Sequence, residues 1–419
     1  MSKNVQSPHR PGLSFILVTV FLDTLGFGLV IPVLPALVAT MTPDKQSQAY
    51  WYGLLLASYG CAQFFSAPLL GAISDRYGRR LVLLVSIFGL GLNFLLTALS
   101  PWLWLLLVSR LIGGASGASY TVAGAYAADV TSKEERSRSF GLLGAVFGLG
   151  FICGPVMGGL LSVHGLRIPY FAAAGFSLLN WLYGFFVLPE SLPADRRSPI
   201  DFAKANPCAA LIALGKVSGI GRLVFVYILT SFPQFILQST WVLYTTFRFR
   251  WGPRDVGLSL FIVGIASAVG QAMLLGFLLK KIGDVKTALL GLASSSVAYL
   301  LYGLATKGWM IYVIVVANLC GFVAGPAIQG IISKAVDPRH QGITLGSLNS
   351  INSIMGVIAP LAAAPILAAV SGLDAGDWRA GATFYVAAIA QSFALSQAYL
   401  HFRRGGVGRK DHVEAASAR

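Results

Sequence analysis

The chain has 419 residues, 56% hydrophobic and 11% charged, with a mean hydropathy of +0.72 and a formal net charge of +15. That balance excludes an ordinary soluble domain and points to a chain that lives in lipid. The basic excess does not point to nucleic acid, because no soluble segment pairs a basic face with an aromatic platform.

Apolar segments long enough to cross a bilayer run over 13–38, 51–70, 81–100, 103–125, 140–162, 168–188, 222–246, 256–279, 286–305, 309–331, 343–370 and 380–402. Each meets the roughly 20-residue requirement for a hydrocarbon-spanning helix. Period-two alternation does not recur, which argues against a β-barrel. The expected fold class is an all-α membrane protein with twelve transmembrane helices. An even number of spans puts both termini on one side, and most of the 31 Lys and Arg fall in the loops of that side. Both termini are therefore expected in the cytoplasm, with the chain multi-pass in the inner (plasma) membrane. The opening Met1–Gly12 is short and polar, and the run behind it exceeds a signal-peptide core and lacks a convincing cleavage site, so it should persist as the first span.

In chain order, the first span carries Asp23 and the fourth carries Arg110, each about 12 to 15 Å from a helix end by helical rise. Asp23 is the one mid-span side chain that can load and release a proton near physiological pH, since all five histidines fall in loops, tails or helix ends. A charge at that depth costs about 2.5 to 3.5 kcal/mol on insertion scales. A coupling role for Asp23, with Arg110 tuning it, stands beside a permanent Asp23–Arg110 pair or a polar knot between the two helices. Between the second and third spans lies Gly71-Ala72-Ile73-Ser74-Asp75-Arg76-Tyr77-Gly78-Arg79-Arg80, a dense charged turn. Asp75 can accept from amides at a nearby helix N-terminus and Arg79 can pair with Asp129 at the end of the fourth span, forming a latch. The fifth span carries Gly144, Gly148, Gly150, Gly154, Pro155, Gly158 and Gly159, a bare face for close helix packing or sliding.

Gly71 and Gly78 recur as Gly276 and Gly283, Gly141 as Gly346 and Pro155 as Pro360, all at one offset of 205 residues. This internal duplication divides the chain into an N-terminal six-helix bundle (1–188), a central cytoplasmic linker (189–221) and a C-terminal six-helix bundle with a cytoplasmic tail (222–419). Three cysteines (Cys61, Cys153, Cys320) lie inside spans and Cys208 lies in the linker, so no disulfide is expected. Arg248, Arg250 and Arg254 cluster in a loop expected to face outward and read as snorkelling at a helix end.

The turn over 71–80 resembles the signature loop of the major facilitator superfamily, Gly-x-x-x-Asp-Arg-x-Gly-Arg-Arg, whose fold of two six-helix bundles the spans and the repeat match. Leu22-Asp23-Thr24-Leu25-Gly26-Phe27-Gly28-Leu29-Val30-Ile31-Pro32-Val33-Leu34-Pro35 is similar to helix 1 of its tetracycline-efflux branch, the drug:proton antiporters. The run from Gly53 to Arg80 with Gln63, Arg110 to Ala118, Ala127-Ala128-Asp129, the segment around Trp241 and Arg248, and Gln329-Gly330 extend the resemblance over nearly the whole chain. Leu188-Pro189-Glu190-Ser191 looks like the family's end of helix 6. Gly150-x-x-x-Gly154-Pro155-x-x-Gly158-Gly159 resembles the exporters' antiporter motif, which lines the boundary between halves. The resemblance makes Gly71, Asp75, Arg76, Gly78, Arg79, Arg80 and Asp129 parts of a gate. Asn93, Ser295 and Ala266 stand where tetracycline pumps carry acids in helices 3 and 9 and a histidine in helix 8, which puts tetracycline itself in doubt.

The resulting expectation is a proton-coupled antiporter exporting an amphipathic small molecule by alternating access. Gln63, Asn93, Gln234, Gln238, Trp241, Gln271, Asn318, Asn349 and Asn352 are the candidate substrate contacts, with Tyr59 and Phe64 as aromatic neighbours; helix–helix hydrogen bonding is the competing role for each amide. The expected partners are a small-molecule substrate, protons and the lipid bilayer, with no nucleic acid, cofactor or metal, and with the chain working as a monomer. Proton-linked uptake of an organic acid or metabolite, and a non-transporting membrane scaffold, are the alternatives. Enzymatic activity is not expected, because no Gly-x-x-x-x-Gly-Lys-Ser/Thr, Gly-x-Ser-x-Gly or His-Glu-x-x-His occurs.

Overall fold

The computed structural model describes residues 11–117, 119–132, 135–199, 220–336, 341–374 and 376–403. Part of the linker (200–219), with Cys208, and both chain ends (1–10 and 404–419) lie outside the described residues. Ten helices among the described residues are long and apolar enough to cross a membrane. One of them, Pro253–Leu304, has 52 residues, enough for two crossings, and Gly283 divides it with φ 80° and ψ 169°. The Ala-, Ser- and Gln-bearing helix Ala382–Arg403 is less apolar and makes the twelfth. The twelve spans are α1 (Pro11–Val30), α2 (Lys45–Tyr77), α3 (Arg79–Leu99), α4 (Leu103–Val130), α5 (Arg136–Leu161), α6 (Ile168–Val187), α7 (Gly221–Phe249), α8 (253–282), α9 (284–304), α10 (Gly308–Ala335), α11 (Gln341–Val370) and α12 (Ala382–Arg403).

The first span is shorter than its apolar run of 13–38. Pro32 has no amide to donate, so α1 stops at Val30, turns over Ile31–Val33 and restarts as a short helix, Leu34–Ala39, with Pro35 in its first turn. α4 and α10 are interrupted near mid-membrane. α4 consists of Leu103–Ser116 and Ser119–Val130, and α10 passes through a 3₁₀ stretch, Asn318–Val323, before Ala324–Ala335. The offset of 205 residues places 318–323 on 113–118, the stretch that contains the turn at Gly117. The 3₁₀ stretch packs on Gly270, where α8 opens into a π turn, Gly270–Leu274: a Cβ there would lie 3.1 Å from both the Leu319 carbonyl and Phe322 Cβ.

Spans α1–α6 and α7–α12 form two six-helix bundles, and the seams between them are equally symmetric. Across α5 and α8, a Cβ on Gly257 would strike the Pro155 carbonyl, and one on Gly264 would lie 2.6 Å from Ile152 Cγ1. Across α2 and α11, a Cβ on Gly53 would lie 3.2 Å from the Pro360 carbonyl, and one on Gly60 would lie 3.3 Å from Val357 Cγ2. Shifting the first pair of contacts by the offset reproduces the second to within one residue. All of these contacts lie between mid-membrane and the end of the bundle opposite the chain termini. At that end Lys45 Nζ also sits 5.6 Å above the Phe247 ring, and Arg167 donates to the carbonyls of Ala98 (3.0 Å) and Ser100 (2.8 Å). Toward the termini the halves separate: a Cβ added to Gly71, Gly141, Gly144, Gly148, Gly276 or Gly346 would meet nothing within 4 Å. Among the described residues, the close approaches named between the halves all lie toward the far end.

Arg248 differs from its snorkelling expectation. It is 3% exposed and donates to the carbonyls of Ala305 (2.6 Å) and Asp377 (2.8 Å), bracing α7 against the loops after α9 and α11. Arg250 and Arg254 are exposed. In that outer loop, the Arg379 guanidinium holds the Asp377 carboxyl below the usual carboxylate range.

Gly154 and Gly144 lie on one helix in opposite circumstances, which gives a paired test. At Gly154 a Cβ would approach Gly28 Cα to 2.6 Å, so Gly154→Val should destabilise the protein by about 1 to 3 kcal/mol. Gly144→Val meets open space and should leave the unfolding temperature unchanged; thermal unfolding of the two variants in detergent measures the difference.

Candidate functional site

Arg110 is carried on the outer piece of α4 and is 4% exposed. Its Nη2 donates to Asn93 Oδ1 (3.2 Å) and Thr97 Oγ1 (3.0 Å), and Thr97 in turn shares a 2.9 Å bond with Ser109. These partners are neutral, and the Arg110 Nε has no partner among the described residues. Tyr52, Tyr59 and Tyr170 surround the guanidinium closely enough to interact with its charge. Tyr59 also feels the charge of Asp23, so it is near both mid-span ionisable groups. Asp23 itself is partly exposed on α1. The permanent Asp23–Arg110 pair does not describe this conformation: the guanidinium is held by Asn93 and Thr97. A buried guanidinium with neutral partners retains its attraction for an anionic group.

The glycines of α5 lie on two faces with different partners. Gly150, Gly154 and Gly158 pack on α1. A Cβ on Gly150 would lie 2.9 Å from both the Phe21 carbonyl and Thr24 Cβ, which flank Asp23, and one on Gly158 would strike the Leu29 carbonyl. The Pro155 carbonyl and Gly159 instead face α8, where a Cβ on Gly159 would lie 2.7 Å from the Pro253 carbonyl. The motif was expected to line the boundary between halves, and only the second face does so. The first face joins that boundary to the backbone that carries Asp23. Small residues permit both close approaches, because neither helix has side chains to interpose.

The candidate substrate residues divide. Gln234 and Gln238 on α7, Gln271 on α8 and Asn349 on α11 are exposed, and Gln63, Asn318 and Asn352 are half-buried. Gln271 donates to Ser267 (2.8 Å), and Gln63 donates to the Gly117 carbonyl (3.4 Å) where α4 breaks. Asn318 accepts from Ser294 (2.9 Å); Asn352 accepts from Ser231 (3.0 Å) and donates to Tyr227 (2.9 Å). Asn93 and Trp241 do not line an opening. Asn93 is 1% exposed and occupied with Arg110, while Trp241 is 3% exposed, donates to Ser259 (3.0 Å) and packs edge-on against Tyr302. Ser295 and Ala266 are buried too, so all three positions where the resemblance implied acids or a histidine are interior.

At the termini end, the turn between α2 and α3 is organised by Arg79. Its guanidinium bridges Asp75 (2.6 Å) and Asp129 (3.2 Å) and donates to Ser74 Oγ (2.5 Å). The Arg79–Asp129 contact matches the expected latch. Among the described residues the Asp75 carboxylate meets Arg79, four residues on, in place of the expected amides at a nearby helix N-terminus. Arg76 lies over the Tyr77 ring, and Arg80 donates to the Phe185 carbonyl (2.6 Å). Gly71 has open space beside it, whereas Gly78, at φ 104°, lets α2 turn into α3 against the Glu190 carboxylate. Glu190 is the residue that sequence reasoning missed. Its carboxylate accepts from the amides of Arg79 (2.8 Å), Arg80 (3.3 Å), Ser191 (3.0 Å) and Leu192 (3.1 Å), capping the positive end of α3 from the segment after α6. Ser191 donates to Asp129 (3.2 Å) and Tyr126 to the Pro189 carbonyl (3.0 Å), which ties α4 into the same cluster. The signal was the stretch 188–191, noted only as a span end. In the other half Lys334 pairs with Asp284.

A family model described as the Major Facilitator Superfamily matches residues 16–360. The tetracycline resistance protein, class C, of Escherichia coli is 39% identical over 375 residues, covering 89% of this chain and 94% of that protein. The class B protein of Escherichia coli is 35% identical over 371 residues, covering 88% and 92%. Among solved structures, the human organic anion transporter MFSD10 (TETRAN) matches with a TM-score of 0.69 at 26% identity, covering 94% of this chain and all of that one. A bacterial homologue of the human lysosomal transporter Spinster, in an inward-facing and occupied conformation, matches with a TM-score of 0.73 over 93% of this chain and 96% of that one; at 14% identity it shows the fold alone.

Removing the Glu190 cap leaves the first amides of α3 without their acceptor. Glu190→Ala should lower stability by about 1 kcal/mol, and Glu190→Gln, which keeps an acceptor oxygen, by less; thermal unfolding in detergent ranks the two.

Proposed function

From the premise that the chain belongs to the major facilitator superfamily, in its tetracycline-efflux-like branch, we propose how its residues carry the activity of that branch. The protein is a secondary active, proton-coupled antiporter that exports drug-like small molecules, and it sits multi-pass in the inner membrane. In our reading Asp23 takes up a proton when its side of the protein faces outward and gives it up in exchange for substrate loaded from the cytoplasm. Arg110 tunes the proton affinity of Asp23. Both termini are cytoplasmic, so the conformation described is the inward-facing one, and the bundles 1–188 and 222–419 rock about the central opening. The chain acts as a monomer.

The observation that carries this reading is the double face of α5. One face, Pro155 and Gly159, meets α8 of the other half; the other, Gly150, Gly154 and Gly158, meets the backbone on either side of Asp23. A tilt of α5 that opens the outer seam therefore moves the groups around the carboxyl, and a change of charge on the carboxyl acts back on the seam. The membrane potential adds about 2.3 kcal/mol per charge per 100 mV to drive the inward proton step. The substrate contacts are the half-buried and exposed amides Gln63, Gln234, Gln238, Gln271, Asn318, Asn349 and Asn352. Their neutral character suits an amphipathic molecule without a chelated metal. Asn93 acts with Arg110, and Trp241 supports the wall from behind.

Expression in an efflux-deficient host beside Asp23→Asn, tested over a panel of amphipathic antibiotics and dyes that includes a tetracycline, should give resistance to one compound class that the variant loses. In proteoliposomes the Asp23→Asn protein should fold and bind but show no substrate-driven proton flux. Undiminished flux rejects the role given to this residue.

A further inference from the structure

At the repeat offset of 205 residues, the turn between α8 and α9 takes the place of the charged turn between α2 and α3, but its charges are disposed differently. In the first turn each arginine is held by the protein. Arg79 meets Asp75 and Asp129, Arg80 meets the Phe185 carbonyl and Arg76 lies over the Tyr77 ring, while Glu190 adds a further carboxylate. The second turn carries Lys280, Lys281 and Lys286 around Gly283, with Asp284 as its acid, and Asp284 is taken by Lys334. The three lysines are exposed and make no ion pair among the described residues. Uncompensated positive charge is therefore left at the end of the bundle that bears the termini.

Each arm of this turn leads from its lysine into exposed apolar side chains. On α8, Met273 (71% exposed) and Phe277 (55%) precede Lys281 at intervals of four residues, and Lys281 Nζ lies 5.4 Å from the centre of the Phe277 ring. On α9, Leu290 (41%) follows Lys286 by four residues. Residues at that spacing lie one above another on a helix, so each arm presents a strip that is apolar toward the membrane interior and cationic at its edge. Lipid tails cover any apolar strip, whereas a fixed positive edge selects the headgroup. The first half lacks the combination: the same offset puts Pro68, Ala72 and Leu81 where the second half has Met273, Phe277 and Lys286. Both turns keep their positive-φ glycine, so the difference lies in surface chemistry and not in the fold. We propose that the turn between α8 and α9 binds an anionic phospholipid, with its phosphate on Lys280, Lys281 and Lys286 and its chains along Met273, Phe277 and Leu290. That this lipid belongs to the inner leaflet rests on the reading of the termini as cytoplasmic.

Native mass spectrometry of the full chain in detergent, titrated with phosphatidylglycerol, reads the site directly. The combined variant Lys280→Gln, Lys281→Gln, Lys286→Gln should weaken the tightest phosphatidylglycerol step about a hundredfold, at about fivefold per lysine. Arg250→Gln, Arg254→Gln and Lys307→Gln together remove the same charge from exposed positions at the other end of the bundle and should bind as the parent does. Parent-like binding by the lysine variant, or an equal loss in both variants, overturns the inference. If the lysine variant fails to fold, Lys286→Leu, which carries the residue of the first half, should weaken the same step about fivefold; an unchanged step overturns the inference as well. Two further arms identify the ligand. Phosphatidylcholine should show no lysine-dependent step, and glycerol 3-phosphate at matched concentration should not displace phosphatidylglycerol; loss of either distinction overturns the assignment to an anionic lipid. Binding in detergent needs neither a substrate nor Asp23, so Asp23→Asn should bind phosphatidylglycerol as the parent does, and an efflux panel without a hit is distinguishable from failure here.

Discussion

The approach of α5 to α1 is the contact on which the rest depends. Gly150, Gly154 and Gly158 bring one backbone against another over several turns, and any side chain at these positions would have to displace main chain. In a soluble core, apolar burial drives helices together; in lipid, the gain must come from close van der Waals contact, which residues without side chains permit. The same helix turns Pro155 and Gly159 to α8, and α8 belongs to the other half. Movement between halves and the local environment of Asp23 are thus joined by one rigid element, without a chain of intervening side chains.

Arg110 gives the site its second constraint. A guanidinium at this depth is costly, and its partners here, Asn93 and Thr97, offer dipoles in place of charge. The positions that resemblance linked to acids and a histidine are Asn93, Ser295 and Ala266, and all three are interior. Their replacement therefore changes the field inside each half more than the wall of the opening. With Asn93 neutral, the hydrogen-bond partners of the Arg110 side chain among the described residues are dipoles and not a carboxylate.

Much of this was legible in the sequence because lipid imposes a strict length and composition on each crossing. The twelve spans, the charged turn at 71–80, the offset of 205 residues and the Arg79–Asp129 contact could all be read from residue order. The break of α1 at Pro32 was visible as well, yet the unbroken apolar run over 13–38 masked it, since hydropathy does not register a missing amide. Partners were the hardest to read. An amide such as Asn93 has the same composition signature whether it faces an opening or an arginine, and only the packing of α3 on α4 decides. Glu190 was hidden for another reason: its ligands are backbone amides of α3, which carry no sequence identity.

The positive φ at both Gly78 and Gly283 bears on why the second copy of the charged turn is degraded without being lost. A chain reversal between two antiparallel spans needs a residue free of the Cβ penalty at that point, and this need is local to each half. The remaining residues of the motif are under no such local constraint, and the second copy carries Lys280, Lys281 and Asp284 where the first carries Asp75, Arg76 and Arg79. The two glycines record the geometry that the two halves hold in common.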